Sequence, residues 1–165
     1  MKYTRFEELP VWNASIDLAL RIYKLTQDRA FVRQRCLRDQ LERATVSISN
    51  NIAEGFERGT TQELLTFIYI ARGSAGEVRS MLSLIERLPA FVHLKFEISN
   101  LKLTAEEIPR QLRAWAEFLQ NTPIKGHRHL NSKTRSAEQR KRDRNELLEE
   151  LRRVQTSSTA SASSK

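Results

Sequence analysis

Ser47-Ile48-Ser49-Asn50-Asn51-Ile52-Ala53-Glu54-Gly55-Phe56-Glu57-Arg58-Gly59-Thr60 reads as the end of one helix, a tight turn and the start of the next. Ile48, Ile52 and Phe56 fall four apart and line one helical face. Ser47, Asn51, Glu54 and Arg58 share a neighbouring polar stripe. Gly59 fits the left-handed residue that ends a helix. Thr60 and Glu63 have capping-box spacing, so a new helix can begin at once. Helices joined this briefly lie antiparallel and pack on each other.

Working outward, the second helix spans about Val32 to Arg58, with Leu37, Leu41, Ala44, Ile48, Ile52 and Phe56 as its apolar stripe. The third runs from Thr61 to about Leu88, before Pro89, on Leu64, Leu65, Ile68, Ala71, Ala75, Val78, Leu82 and Ile85. Gly73 and Gly76 sit inside it, each costing about 1 kcal/mol of helix propensity. Close approach of the second helix would offset that cost. Antiparallel pairing about residues 59–60 makes facing residues sum to about 120. Ser47 then meets Ser74 in a hydrogen bond, and Arg43 meets Glu77 in an ion pair. Arg43, Ser47, Asn51, Glu54, Arg58, Ser74 and Glu77 together form a predicted structural polar lock.

The first helix is Leu9 to Leu25, with Pro10 in its first turn. Trp12, Ile16, Ala19, Leu20 and Tyr23 mark its apolar face; Val11, Leu18, Ile22 and Leu25 widen it. Residues 90–103 are ambiguous between turn and helix, with His93 at the surface. Thr104 and Glu107 form a second capping box just before Pro109. Either a fresh helix starts at Thr104 or one long helix kinks near Pro109, and a kink or break is the favoured form. Ile108, Leu112, Trp115 and Leu119 complete its stripe. The expected fold class is all-α, an antiparallel up-and-down four-helix bundle over residues 1–120. A linker over 121–135, a charged helical extension over 136–155 and a disordered tail over 156–165 follow.

The net charge of +8 is uneven: residues 121–165 hold 11 Lys+Arg against 5 Asp+Glu, leaving 17 and 15 for residues 1–120. A basic tail implies an anionic partner, nucleic acid first. The candidate contacts are Arg33, Arg35 and Arg38 in the second helix, and Lys125, Arg128, Lys133, Arg135, Arg140, Lys141, Arg142 and Arg144 beyond the bundle. The lone Cys36 forbids an internal disulfide and fits a reducing cytoplasm. Set among Phe31, Val32, Leu37 and Leu41, it reads as a buried, inert thiol. No phosphate loop, nucleophile elbow or zinc-spaced Cys/His set occurs, so no catalytic residue, metal or cofactor is expected.

The run Leu41-Glu42-Arg43-Ala44-Thr45-Val46-Ser47-Ile48, then Asn51-Ile52-Ala53-Glu54-Gly55 and Arg58, resembles the 23S rRNA intervening-sequence proteins. Phe67, Ala71, Gly73-Ser74 and Glu77 match the family's third helix. Phe6-Glu7-Glu8-Leu9, Val11-Trp12 and Ile22-Tyr23 match its opening. The resemblance covers roughly residues 5–120. It implies a four-helix bundle without known catalytic activity. A related branch, the accessory variability determinant of diversity-generating retroelements, implies a ring-forming homopentamer that binds nucleic acid and a reverse transcriptase. The basic extension after Gln120 departs from the family core. By resemblance and charge, the chain reads as a non-enzymatic, oligomeric RNA- or DNA-binding bundle. The alternative is a protein-interaction or scaffolding module, with Val11, Leu18, Ile22 and Phe67 as subunit contacts.

Overall fold

A computed structural model describes residues 3–121 and the single residue Arg144. Four long helices carry residues 10–120: α1 (Pro10–Leu25), α2 (Arg35–Glu57), α3 (Thr61–Ile85) and α4 (Lys95–Gln120). A 3₁₀ turn, Arg29–Arg33, joins α1 to α2, and another, Pro89–Leu94, joins α3 to α4. The chain divides after His127. The linker, the helical extension and the disordered tail expected beyond residue 121 lie outside the described residues, apart from Arg144, which is helical and exposed. No helix among the described residues is long and apolar enough to cross a membrane.

The α2–α3 contact is the most extensive, followed by α3–α4; α1 packs on α2 and α4. The helices therefore run round a square with α1 diagonal to α3, the up-and-down arrangement that short connections favour. Leu18, Ile22, Leu41, Ile48, Ile52, Leu64, Ile68, Leu82, Ile98, Leu101, Ile108 and Leu112 are fully buried along the axis. Phe31 and Phe91 meet edge to face, 4.7 Å between centroids, and seal the end carrying the two 3₁₀ turns. We call this the turn end. Phe6 and Trp12 make a similar contact, at 5.2 Å, at the other, or hairpin, end.

At the hairpin, Thr60 caps α3: its hydroxyl accepts from the Glu63 amide at 3.2 Å and donates to the Glu63 carboxylate at 2.7 Å. Gly59 is not left-handed. No residue described has positive φ, and α2 ends instead on extended Arg58 (φ −68°, ψ 147°). Gly73 and Gly76 do not permit close helix approach, for a Cβ at either would meet nothing within 4 Å. Gly55 does: its Cβ would lie 2.6 Å from the Phe67 Cβ and 3.2 Å from Leu64 Cδ1. The close approach falls where the hairpin narrows, rather than at the midpoint of α3.

The buried side of α1 is Val11, Ser15, Leu18, Ala19, Ile22 and Leu25, whereas Leu20 and Tyr23 face solvent. Ser15 interrupts this stripe in the sequence. Its hydroxyl donates to the Trp12 carbonyl at 2.6 Å, so a polar residue is buried there with its hydrogen bond made locally. Val11, Leu18 and Ile22 are thus core, not subunit contacts. Phe67 is half-buried beneath the Arg58 guanidinium, 5.1 Å from the ring centre. Cys36 is exposed, because α2 starts only at Arg35 and its first turn directs Leu37, not Cys36, toward the core. α4 begins at Lys95 and runs unbroken through Pro109. Thr104 is mid-helix, its hydroxyl bonded back to the Asn100 carbonyl at 3.2 Å, and does not start a new helix.

The two halves of the bundle repeat at an interval of 60 residues. α1 ends at Leu25 and α3 at Ile85; α2 opens at Arg35 and α4 at Lys95. Ala30-Phe31-Val32 recurs as Ala90-Phe91-Val92. Buried residues pair at the same interval: Leu18 with Val78, Ile22 with Leu82, Leu41 with Leu101, Ile48 with Ile108 and Ile52 with Leu112. Even a helix-to-helix bond repeats. Thr26 donates to Glu42 at 2.6 Å in the first half, and Lys102 donates to Glu86 at 2.7 Å in the second. A pseudo-two-fold axis thus runs down the bundle and emerges between Phe31 and Phe91.

Gly55→Ala is expected to lower stability by about 1–3 kcal/mol through overpacking against Phe67. Gly73→Ala, facing open space, is expected to raise it by about 0.5–1 kcal/mol. Urea midpoints at unchanged slope measure both, and shifts of the same sign would contradict this packing.

Candidate nucleic-acid interface

The predicted polar lock forms in part. The Ser47 and Ser74 hydroxyls lie 2.9 Å apart across α2 and α3. Asn51 Nδ2 donates to the Ser47 carbonyl at 2.7 Å and to its hydroxyl at 3.0 Å. Ser74 also reaches back to the Ile70 carbonyl at 3.2 Å. Arg58 pairs with Glu54 one turn earlier in α2. Arg43 and Glu77 do not pair: both are exposed and neither has an ion pair among the described residues. Solvated charges gain little from one another, so sequence register alone does not bring them together. This cluster is a helix-to-helix fastening at the middle of the bundle and its hairpin end.

The cations gather at the turn end. Arg33 closes the first 3₁₀ turn and Arg35 opens α2; both are exposed and have no partner among the described residues. Arg38 differs, since its Nε and Nη2 each lie 3.2 Å from Asp39 Oδ1, and its Nε lies 4.0 Å from Glu42. Of the three helix-two arginines, two present free charge and one is largely neutralised. The fold adds Lys24 at the end of α1, Arg29, Arg87 after α3 and Lys95 at the start of α4. These four were missed because Lys24, Arg87 and Lys95 come from separate helix ends, and Arg29 precedes the stretch read as the second helix. The signal that could have found them is the repeated Ala-Phe-Val turn, which basic residues flank on both occasions.

The carboxylates of this end are already occupied. Asp28 accepts from the Ala30 amide at 2.8 Å and lies 3.1 Å from His93 Nε2; these two hydrogen bonds hold its carboxyl below the ordinary aspartate value. Glu86 accepts from Lys102 at 2.7 Å and Ser99 at 2.8 Å, which depress it likewise. Glu97 is bound by Arg21 at 3.0 Å. A shallow groove between α1 and α4, lined by Arg21, Lys24, Leu25, Asp28, Leu94 and Glu97, opens here. The N-termini of α2 and α4 lie at the same end without side-chain caps, adding the positive ends of two helix dipoles.

The hairpin end has the opposite sign. Glu7, Glu8, Glu54, Glu57, Glu63 and Glu117 are offset there by Arg5, Arg58 and Arg113. Charge is therefore graded along the bundle. Of the tail residues singled out, Lys125, Arg128, Lys133, Arg135, Arg140, Lys141 and Arg142 lie outside the described residues, and Arg144 is exposed. No group of three or more His, Cys, Asp or Glu suited to a metal occurs among the described residues.

A second feature is apolar. Leu20 is 65% exposed on α1, and Phe96, Leu103 and Phe118 are 80%, 62% and 63% exposed on one outward stripe of α4. Their spacing of seven and fifteen residues keeps the α4 set on a single face. These are among the exposed apolar residues, whereas Val11, Leu18 and Ile22 are buried.

Fold and surface together define a helical bundle whose described residues are graded in charge from one end to the other. Residues 7–114 match the family model of the 23S rRNA-intervening sequence protein, and the chain belongs to that family. Among solved structures it is similar to a protein of unknown function from the S23 ribosomal protein family of Bacteroides thetaiotaomicron. The two share 22% identity and a TM-score of 0.58, over 65% of this chain and 98% of that one. That likeness is one of fold. No curated protein matches the chain.

A carboxyl made more acidic by folding contributes stability above its unfolded pKa and loses it as pH falls through the folded value. Glu86 is such a group. Thermal stability should therefore decline on acidification below about pH 4, and Glu86→Gln should flatten the decline. Identical pH profiles for the two proteins would remove Glu86 from this account.

Proposed function

We propose that this chain is a non-enzymatic, homo-oligomeric nucleic-acid-binding bundle. The single observation that carries the reading is the turn end, where Lys24, Arg33, Arg35 and Arg87 have no partners among the described residues while the neighbouring carboxylates are engaged. Charge left unpaired in this way attracts an external polyanion, releasing its counterions on binding. The basic sequence after Gln120 and the net charge of +8 act in the same direction. Contacts would go to phosphates, so affinity would depend strongly on salt and little on base sequence. In its finer form the proposal makes the chain an accessory factor of a retroelement reverse transcriptase in the cytoplasm, assembled as a ring of five.

The exposed stripe of Phe96, Leu103 and Phe118 favours self-association and also supports a second reading, a scaffolding module that binds protein. Light scattering of the full chain, with and without RNA, separates the two. The nucleic-acid reading expects an oligomer whose mass rises with RNA. A species indifferent to RNA would leave only the scaffold. Removal of residues 121–165 is expected to weaken RNA binding and flatten its salt dependence, measured by fluorescence anisotropy from about 50 to 200 mM salt. Unchanged affinity throughout would discard the tail's part.

A further inference from the structure

Four features of the turn end repeat about the pseudo-two-fold axis. Phe31 and Phe91 touch on the axis itself. Val32 and Val92 stand exposed beside them, at 61% and 67%. Arg33 has its mate in His93, and Arg35 in Lys95, at the 60-residue interval. These positions form two symmetric arms rather than one patch: Arg33 and Arg35 in the first, and Lys95 with His93, whose ring faces Asp28, in the second. Neighbouring helix axes lie about 9 Å apart, so the diagonal pair α2 and α4 start about 13 Å from each other. Long side chains extend from there to either side of a groove about as wide.

We infer that the turn end binds the two phosphate backbones of a nucleic-acid duplex, one to each arm, with the pseudo-two-fold axis of the bundle along a local dyad of the duplex. This rests on the nucleic-acid reading above and says which form of nucleic acid its site takes. A duplex has a dyad at every base pair, relating phosphates of opposite strands. A single strand has none, and could engage both arms only by doubling back. Protein two-fold symmetry matched to duplex two-fold symmetry is a general mode of recognition. The residues on the axis are valines and buried phenylalanine edges, and Phe96, exposed beside Lys95, is a single ring rather than the row of stacking aromatics that holds single strands. The Asp28 carboxylate beside His93 keeps the imidazole oriented in the second arm, while Arg33 in the first is free. The two arms therefore differ in strength but share one geometry.

The test is fluorescence anisotropy of the full chain at fixed salt, with a 20-base-pair RNA duplex, the DNA duplex of the same sequence, and each isolated strand. Arg33→Gln with Arg35→Gln disables the first arm, and His93→Gln with Lys95→Gln the second. All four residues are exposed, and circular dichroism checks that the helices persist. Duplexes are expected to bind at least about fivefold tighter than their strands, and each double variant to reduce that ratio. Each double variant should also lower the salt slope for duplex by about one to two. The basic tail adds affinity to either form, so the ratio reads the arms alone. RNA and DNA duplexes differ in groove width, and a preference between them identifies the natural partner. Equal binding of strands and duplexes, or a loss confined to the Arg33 and Arg35 variant, would overturn the two-arm site while leaving nucleic-acid binding intact. Binding to none of the probes would overturn both.

Discussion

At Gly55 there is no room for a side chain, because the Phe67 Cβ stands 2.6 Å from where its own Cβ would be. That one exclusion sets how closely α2 and α3 come together beyond the hairpin. From there the register of the pair follows. Ser47 meets Ser74, Ile52 and Leu64 share the core, and the Arg58 guanidinium lies over the Phe67 ring. α1 and α4 then close the other two sides of the square. Core positions are filled almost without polar groups, and the few buried hydroxyls, such as Ser15 and Thr45, bond to carbonyls of their own helices. No helix needs a partner for its backbone, so packing alone decides the arrangement.

Much of this was legible from residue order. The stripe of α2 has few apolar residues off the core face, and in α3 the core positions recur at three- and four-residue steps although Tyr69, Ile70 and Leu84 stay exposed, so periodicity picked out the correct side. The Thr60 cap and the Ser47–Ser74 pair came directly from spacing. In α1 periodicity failed because the helix is apolar on two adjacent sides, and Ser15 disguised the buried one. Only the neighbouring helices, absent from a linear reading, distinguish them. Gly55 was hidden for a similar reason. It sits among alanine, glutamate and phenylalanine in a helical run, while Gly73 and Gly76 drew attention by lying close together. The Arg43–Glu77 pair does not form, since both side chains are exposed and have no burial to hold them together.

The candidate interface was half legible. Arg33 and Arg35 announced themselves by clustering in sequence. Lys24, Arg87 and Lys95 did not, since they come from three different helix ends and meet only once the chain has folded. The 60-residue repeat shows why they meet. Two helical hairpins of like design stack side by side, and each contributes one Ala-Phe-Val turn to the same end. What one hairpin does with its turn, the other does half a rotation away.

The gradation of charge from the turn end to the hairpin end has a consequence for how the molecule travels. Antiparallel helices cancel most of their own dipoles, so the side chains dominate the moment of the bundle. A body with cations at one pole and carboxylates at the other feels a torque in the field of a polyanion before it touches it. For the described bundle taken by itself, that torque favours an approach turn end first. Added electrolyte shortens the range of that torque to about 8 Å at physiological strength, leaving the last approach to contact alone.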